Sequence, residues 1–575
     1  MKKLFLIFVV GSLLLLSSCG GKCEHVDSDG NFICDECEES LGEENPPVEP
    51  TAPCEHRDED KNKSCDECAA FVDCKKKHNT MNGKCTVCGI KESSEGMLFE
   101  FNEDRTAYIL TGLGTCKETD IVIGTINNLD VIEISEYAFS GKTQIKSVTI
   151  ESGVLKINYD AFSDCSGLES VVLPSSLTEI RGGAFENCQS LKSVNIPNSV
   201  TIIGENAFKD CASLKDVSIS NNVELFGKSV FENCTSLSCV EYGNAYYIGN
   251  SENPYFLLIS AKSTEIENSV IHYDTRFVHS YAFSLCKNIK SVEVGKSVVG
   301  IGYCAFGQCT NLESVSLPAS LKAIELYAFE NCINIENLYI EDVASWCATE
   351  IRSPLCAENI FLDGTLLTDL VVPSGVTSVA KNAFYSCQSI KSVTLPDGLL
   401  TIGDSAFKQC SGISSISIPS SVTSIGSSFF GCLNLKRVVI EAGKRSINES
   451  AFFQCKIEYA DVPASAIKFV DNNSLEELVI NSDRDITNGI LTHSPNLKTV
   501  VIKSGVKRIH SGAFSSCKNI ESVTFENPDE WWYTTNQNAT SGTAIDSSEL
   551  SDPAVAAVSL TETYNGTHWR CGTGD

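Results

Sequence analysis

The chain has little positive charge for its size. Its 575 residues carry 44 Lys and Arg against 74 Asp and Glu, a formal net charge of −30. Nucleic acid and anionic lipid both demand clustered cations, so neither is expected as a partner. Long apolar runs are also missing: beyond residues 4–16 no stretch approaches the roughly 18 residues that a membrane-crossing helix needs. The signatures of catalysis are absent. There is no His-Glu-x-x-His pair, no Gly-x-Ser-x-Gly elbow and no phosphate-binding glycine loop. Histidine is scarce, and past residue 88 only His272, His279, His493, His510 and His568 remain, scattered along the chain. No spacing singles out a pair among the many carboxylates, and the terminal run His568-Trp569-Arg570-Cys571 suits packing near a chain end. No enzyme is expected.

The first residues have the form of an export signal. Lys2 and Lys3 precede an apolar stretch, residues 4–16, that is too short to span a bilayer. It runs into Leu16-Ser17-Ser18-Cys19-Gly20, which resembles the bacterial lipobox. That resemblance implies a signal peptide over 1–18 and a diacylglyceryl group on Cys19, giving an exported lipoprotein that touches the membrane through its anchor.

Cysteine is abundant, with 28 in all, and falls into two populations. One occupies an acidic tether, residues 19–91, in three modules: 23–37, 54–68 and 74–88. Their candidate metal ligands are Cys23, His25, Cys34 and Cys37; then Cys54, His56, Cys65 and Cys68; then Cys74, His78, Cys85 and Cys88. Each set has three thiols and one imidazole and ends in Cys-x-x-Cys, whose reach suits one face of a tetrahedral ion. Structural zinc would use all four groups and supply the folding free energy that segments of about 15 residues lack. Two alternatives stay open: disulfides between modules, and calcium in acidic loops such as Asp27-Ser28-Asp29-Gly30-Asn31. Residues 38–53, acidic and proline-rich, read as a linker.

The other population is periodic. Cys165, Cys188, Cys211 and Cys234 lie 23 residues apart, and the beat returns at Cys286, Cys309 and Cys332, at Cys387, Cys410, Cys432 and Cys455, and at Cys517. Around each runs Ala-Phe-x-x-Cys-x-x-Leu-x-x-Val-x-Leu/Ile-Pro-x-Ser-Val/Leu-x-x-Ile-Gly. In residues 165–185, Leu168, Val171 and Leu173 read as a short strand that Pro174 stops, Leu177 and Ile180 return inward, and Ala184-Phe185 fills the core. One such unit cannot bury its apolar groups, but a stack of them can, so a solenoid is predicted. Neighbouring coils lie about 4.8 Å apart with parallel side chains, a poor geometry for disulfides. The periodic cysteines are therefore expected to be small, inert core residues.

This pattern resembles the BspA-type leucine-rich repeat family of bacterial surface proteins. The resemblance implies a right-handed leucine-rich-repeat superhelix, β-rich with short turns or helical pieces, over residues 125–526, and attachment to other proteins or host surfaces. Residues 92–124 are expected to form an N-terminal strand or cap region, and 527–575 a C-terminal cap or tail with a short Ala-rich helix near 552–562. Three interruptions break the beat, near 241–275, 341–370 and 456–496; the first two read as lengthened repeats whose extra residues form loops.

Outward strand positions such as Glu169 and Ser170, Lys192 and Ser193, or Lys436 and Arg437 are polar and lack aromatic anchors of the kind that dominate interface energy. Aromatics cluster instead in the interruptions and near the C-terminus. Tyr246, Tyr247, Tyr255, Phe256, Trp346, Trp531, Trp532 and Tyr533 are thus the candidate partner-binding residues. The competing expectation is that they seal the insertions onto the solenoid, in a protein that serves as a non-binding structural spacer of the cell envelope.

Overall fold

The computed structural model describes residues 80–81, 84–85 and 93–572, apart from 127–128, 444–445, 482–484 and 488. The chain divides into two units, 1–90 and 91–575. In the first, Thr80–Met81 and Lys84–Cys85 pair as an antiparallel hairpin. The second is a β-solenoid of about 18 turns with few helices.

Each regular coil gives one short strand to each of two parallel ladders. Ser147–Ile150 pairs with Ser170–Val172 in one ladder, and Lys156–Ile157, Glu179–Ile180 and Ile202–Ile203 follow one another in the other. Alternation decides which side chains enter the core: Val171 is buried between exposed Ser170 and Val172. Register is one repeat, with Glu179 opposite both Lys156 and Ile202.

The turn that joins the ladders explains the Ala-Phe signature. Phenylalanines from successive coils stack face to face inside the solenoid: Phe139, Phe162, Phe185 and Phe208 follow at 4.9, 5.2 and 5.2 Å between centroids, within 5° of parallel. The Phe283–Phe306–Phe329 and Phe384–Phe407–Phe429–Phe452 columns repeat this geometry. In most coils two residues take a left-handed backbone, one before Ala and one before Cys. Asp160, Asn206 and Asn382 fill the first position and Asp164, Asn187 and Asp210 the second. Short polar side chains tolerate that conformation best, which accounts for the Asn, Asp and Gly near many of the Ala-Phe pairs, although Tyr281, Leu285 and Gln308 adopt it as well.

Hydrogen bonds lock the turns to one another. The Phe162 N–H donates to the Ala184 carbonyl one coil on, at 2.8 Å, and Phe185 does the same to Ala207. The Phe162 carbonyl in turn accepts the N–H of Cys165 and the thiol of Cys188 from the next coil, the latter at 3.2 Å. This thiol bond recurs from Cys165 to Phe139, Cys211 to Phe185, Cys309 to Phe283, Cys410 to Phe384 and Cys455 to Phe429. As the spacing implied, the periodic cysteines are buried free thiols. Burial pushes the Cys165 and Cys387 thiols up to about 12, so they stay protonated and able to donate.

Antiparallel pieces close both ends of the solenoid. Leu98–Phe101 folds back on Tyr108–Gly112, which then starts the parallel ladder against Val131–Ile134. At the C-terminal end His568–Cys571 pairs antiparallel with Arg508–Ile509 and with Trp531–Thr534. The helix Pro553–Val558 begins with proline and is capped by Asp552, whose carboxylate accepts the N–H groups of Ala554 and Val555. It buries Ala556 and Ala557, while Trp531 and Trp569 pack on Phe525.

Two predictions follow from this core. Truncating one ring of the column, as in Phe185→Ala, is expected to cost about 3–5 kcal/mol in urea unfolding, since its stacked neighbours cannot collapse into the gap. Among the solenoid cysteines, iodoacetamide should modify exposed Cys356 in the folded chain and reach Cys165, Cys188 and Cys410 only on unfolding, as read by peptide mass mapping.

Candidate interaction surface

The sequence-predicted site residues separate sharply in the structure. Cys19 and eleven of the twelve Cys/His ligand candidates lie outside the described residues; the twelfth, Cys85, falls in the short hairpin strand Lys84–Cys85. Among the described residues no cluster of His, Cys, Asp and Glu could hold a metal ion, and no helix is long and apolar enough to cross a membrane. Asp471, His493 and Ser494 do come together, but as a turn anchor: the Asp471 carboxylate accepts the Thr492 and His493 N–H groups and the Ser494 hydroxyl.

Most of the candidate aromatics are interior. Tyr247, Phe256, Trp346, Trp531 and Trp532 are buried, so they cannot serve as exposed anchors; Tyr246, Tyr255 and Tyr533 are half-buried. The reason is architectural. The first interruption is an antiparallel sheet of Val240–Tyr242, Ala245–Ile248 and Leu257–Ala261, where loops were expected. It walls off two hydrophobic cores: Ile248, Phe256 and Leu257 face the N-terminal one, and Tyr247 and Leu258 the C-terminal one. The second interruption is also ordered, as the helix Val343–Ala348 and a hairpin of Asn359–Leu362 with Thr365–Leu366. In the third, the 3-10 turn Ala464–Ala466 and helix Ile467–Val470 follow directly on the strand Tyr459–Val462.

Insertions break the axial hydrogen bonds, and side chains make up for the missing partners. Phe231 has no Ala carbonyl in register above it; its N–H donates to the His279 Nε2, at 3.2 Å, and the Ser229 N–H donates to the Ser280 hydroxyl. The His279 Nδ1 lies 3.0 Å from the Ser280 carbonyl, which fixes the neutral tautomer with its proton on Nδ1. At the second insertion the Trp346 indole N–H donates to the Ala383 carbonyl at 2.7 Å, and the Tyr327 N–H to the Ser353 hydroxyl at 2.8 Å.

The aromatic surface is built from other residues. Tyr255 stacks on His272 at 3.9 Å, His272 on Tyr273 at 4.4 Å, and Tyr242 meets the His272 ring edge-on at 4.6 Å. Tyr273 is 63% exposed and Tyr242 39%, so the first insertion ends in a pre-packed patch with two open tyrosines. The His272 Nδ1 accepts the Asp274 N–H, and burial lowers the affinity of this ring for a further proton. The strand face is also less plain than expected. Residues next to each other on a strand point to opposite sides, and Glu169 and Lys192 precede their strands; the outward rows include Tyr339 stacked on Phe361 at 4.7 Å and Tyr459 under Arg437 at 3.6 Å. Those rings follow the same alternation as Ser170 and Val172, which is the signal that marks them in the sequence. Ion pairs such as Lys146–Glu169–Lys192 run along this face between solvent-exposed groups, where water and salt screen them.

A family model for the BspA type leucine rich repeat region, in six copies, matches residues 132–252, 260–348, 356–477 and 466–554. The chain belongs to this family. Similar solved structures include a leucine rich repeat protein of T. pallidum (26% identity over 38% of this chain and 89% of that one, TM-score 0.27). A leucine-rich repeat protein from Bacteroides ovatus is 22% identical over 66% of this chain and 97% of that one, with TM-score 0.29. A leucine rich cell surface protein from Faecalibacterium prausnitzii is 19% identical over 76% and 94%, with TM-score 0.24. No curated protein matches the sequence. Within the BspA-type frame, the 241–275 and 341–370 segments are where this chain departs from repetition, and the aromatic patch sits on the first of them.

Buried His279 gives this solenoid an acid sensitivity. Desolvation depresses its protonation to about 4, below the ordinary unfolded value near 6.5. The native state therefore favours neutral imidazole, and the stability it confers is complete above about pH 6.5 and lost as pH falls toward 4, on the order of 3 kcal/mol in all. In His279→Gln, whose amide can still accept the Phe231 N–H, urea midpoints at pH 7 and pH 4.5 should lie closer together than in the parent.

Proposed function

We propose that this chain is an exported, lipid-anchored surface protein whose solenoid binds a protein or host-surface ligand. The observation that carries the reading is the patch of Tyr242, Tyr255, His272 and Tyr273: rings already packed on one another lose little freedom on binding, and tyrosines of this kind dominate interface energies. Membership of a repeat family whose stacked coils present extended surfaces agrees with it. The acidic tether, residues 19–91, would hold this surface away from the membrane, with Cys19 as the lipid-bearing residue and zinc closing the three Cys/His modules.

Each part has its own measurement. Capture from host-cell surface extracts by the parent chain and by Tyr242→Ala/Tyr273→Ala should differ by at least tenfold in bound partner, with unchanged urea midpoints; equal capture removes the patch from the site, and no capture by either favours the spacer. Replacing Cys19 by Ala should release the protein from the membrane fraction. Metal analysis of the purified chain should give about three zinc ions, one for each Cys3His set; few free thiols and no metal would favour the disulfide alternative.

A further inference from the structure

A second site lies on the outer face of the C-terminal cap, where His568–Cys571 is added between Arg508–Ile509 and Trp531–Thr534. Register sets Arg508 directly opposite Arg570 and Ile509 opposite Trp569. Ile509 and Trp569 are buried in the core, so alternation carries the two arginines to the other side of the sheet. One step along the same face, His510 and His568 meet edge to face with ring centroids 5.4 Å apart. Two guanidinium and two imidazole groups thus form a square across neighbouring strands, in a chain whose net charge is −30.

The fold alone does not account for this grouping, because like charges directly opposite one another destabilise an antiparallel pair. Arg352, by contrast, meets Glu350 at 2.9 Å and Glu325 at 3.0 Å. Among the described residues the carboxylate beside the square is Asp485, 3.8 Å from the Arg508 Nε and 3.9 Å from the His510 Nε2. Both distances exceed a hydrogen bond, and the buried Asp485 Oδ1 has no hydrogen-bond partner. Arg570 lies deeper, at 7% exposure. Its guanidinium donates to the Gln537 carbonyl and stands 5.6 Å from the Trp532 ring, and no described carboxylate forms an ion pair with it. Burial, and then the facing Arg508, lower the affinity of that guanidinium for its proton. A buried charge in this position is costly until an opposite charge joins it.

We propose that the square binds a tetrahedral oxyanion, the phosphate or sulfate group of a free ion or of a small ester. Arg508, His510 and His568 are each partly exposed and would touch the anion, while Arg570 adds its charge from the buried side. The His568 Nδ1 accepts the Ser511 N–H at 3.3 Å, which places the ring proton on Nε2 and leaves that atom as a donor. A tetrahedral ion presents oxygens in several directions and so suits donors that arrive from two strands. A carboxylate has two oxygens in one plane and is matched by a single guanidinium fork. A double negative charge also offsets both arginines, where a single one offsets half. The acidic chain around the square disfavours an extended polyanion, so the site takes one anionic group.

The test is calorimetric titration of the full chain, at constant ionic strength, with inorganic sulfate, inorganic phosphate, glucose 6-phosphate and, as the planar comparison, acetate. Saturable binding of sulfate and phosphate at millimolar concentration or below is expected, with acetate at least tenfold weaker. Binding of glucose 6-phosphate as well assigns the site to an ester group; binding of the inorganic ions alone assigns it to the free ion. Arg508→Gln should weaken sulfate at least tenfold while keeping its urea midpoint in sulfate-free buffer, since the change removes a charge facing Arg570. Saturating sulfate should raise the urea midpoint of the parent and leave that of Arg508→Gln where it was. His510→Gln gives a second variant, also expected to bind sulfate more weakly, and Tyr242→Ala/Tyr273→Ala should bind it unchanged. Absence of saturable binding for both inorganic ions overturns the proposal, as does undiminished affinity in both Arg508→Gln and His510→Gln. Acetate binding as tightly as sulfate also overturns it.

Discussion

The solenoid depends on one reciprocal arrangement at the Ala-Phe turn. The Phe N–H donates forward to the Ala carbonyl of the following coil, while the following coil's thiol donates back to the Phe carbonyl. Strand ladders alone would hold the coils at the strand spacing, but only this turn also fixes the phenylalanine rings in one column and their neighbours in left-handed conformations. The periodic cysteine places its donor in an apolar surround, where a thiol is a cheaper polar group to bury than a hydroxyl.

A stack bonded this way has a problem wherever it is interrupted, since a buried N–H or C=O without a partner costs about 1–3 kcal/mol. The first two insertions and the C-terminal end each carry their own remedy. His279 and Ser280 receive the donors of the coil below, Trp346 serves the carbonyl above, and His568 accepts the Ser511 N–H at the C-terminal end. The residues that look most like chemistry in the sequence, a buried histidine and a tryptophan, are thus stand-ins for a missing coil.

This also explains which parts were legible in the sequence. The period, the Ala-Phe filler and the buried cysteines could be read because burial imposes the same apolar residues at the same step. The left-handed positions were hidden, since Asp160, Gly183, Asn206 and Tyr281 share a backbone need and no side-chain chemistry. The insertions marked themselves by breaking the beat, but whether Tyr247 or Tyr273 faces outward depends on strand pairing between residues that lie far apart along the chain. Sequence located the aromatic region and could not sort its rings. The tether modules are matched by no comparable burial signal, and their reading rests on ligand count.

The unlinked thiols have a mechanical consequence. Among the described residues no disulfide staples one coil to another, so tension applied along the chain meets hydrogen bonds, exposed ion pairs and packing between nearest neighbours. Each coil that peels from an end releases about 80 Å of contour length while the rest of the stack stays folded. A body built in this way yields under load in small, repeatable steps, absorbing work at each one, and can rewind when the pull relaxes.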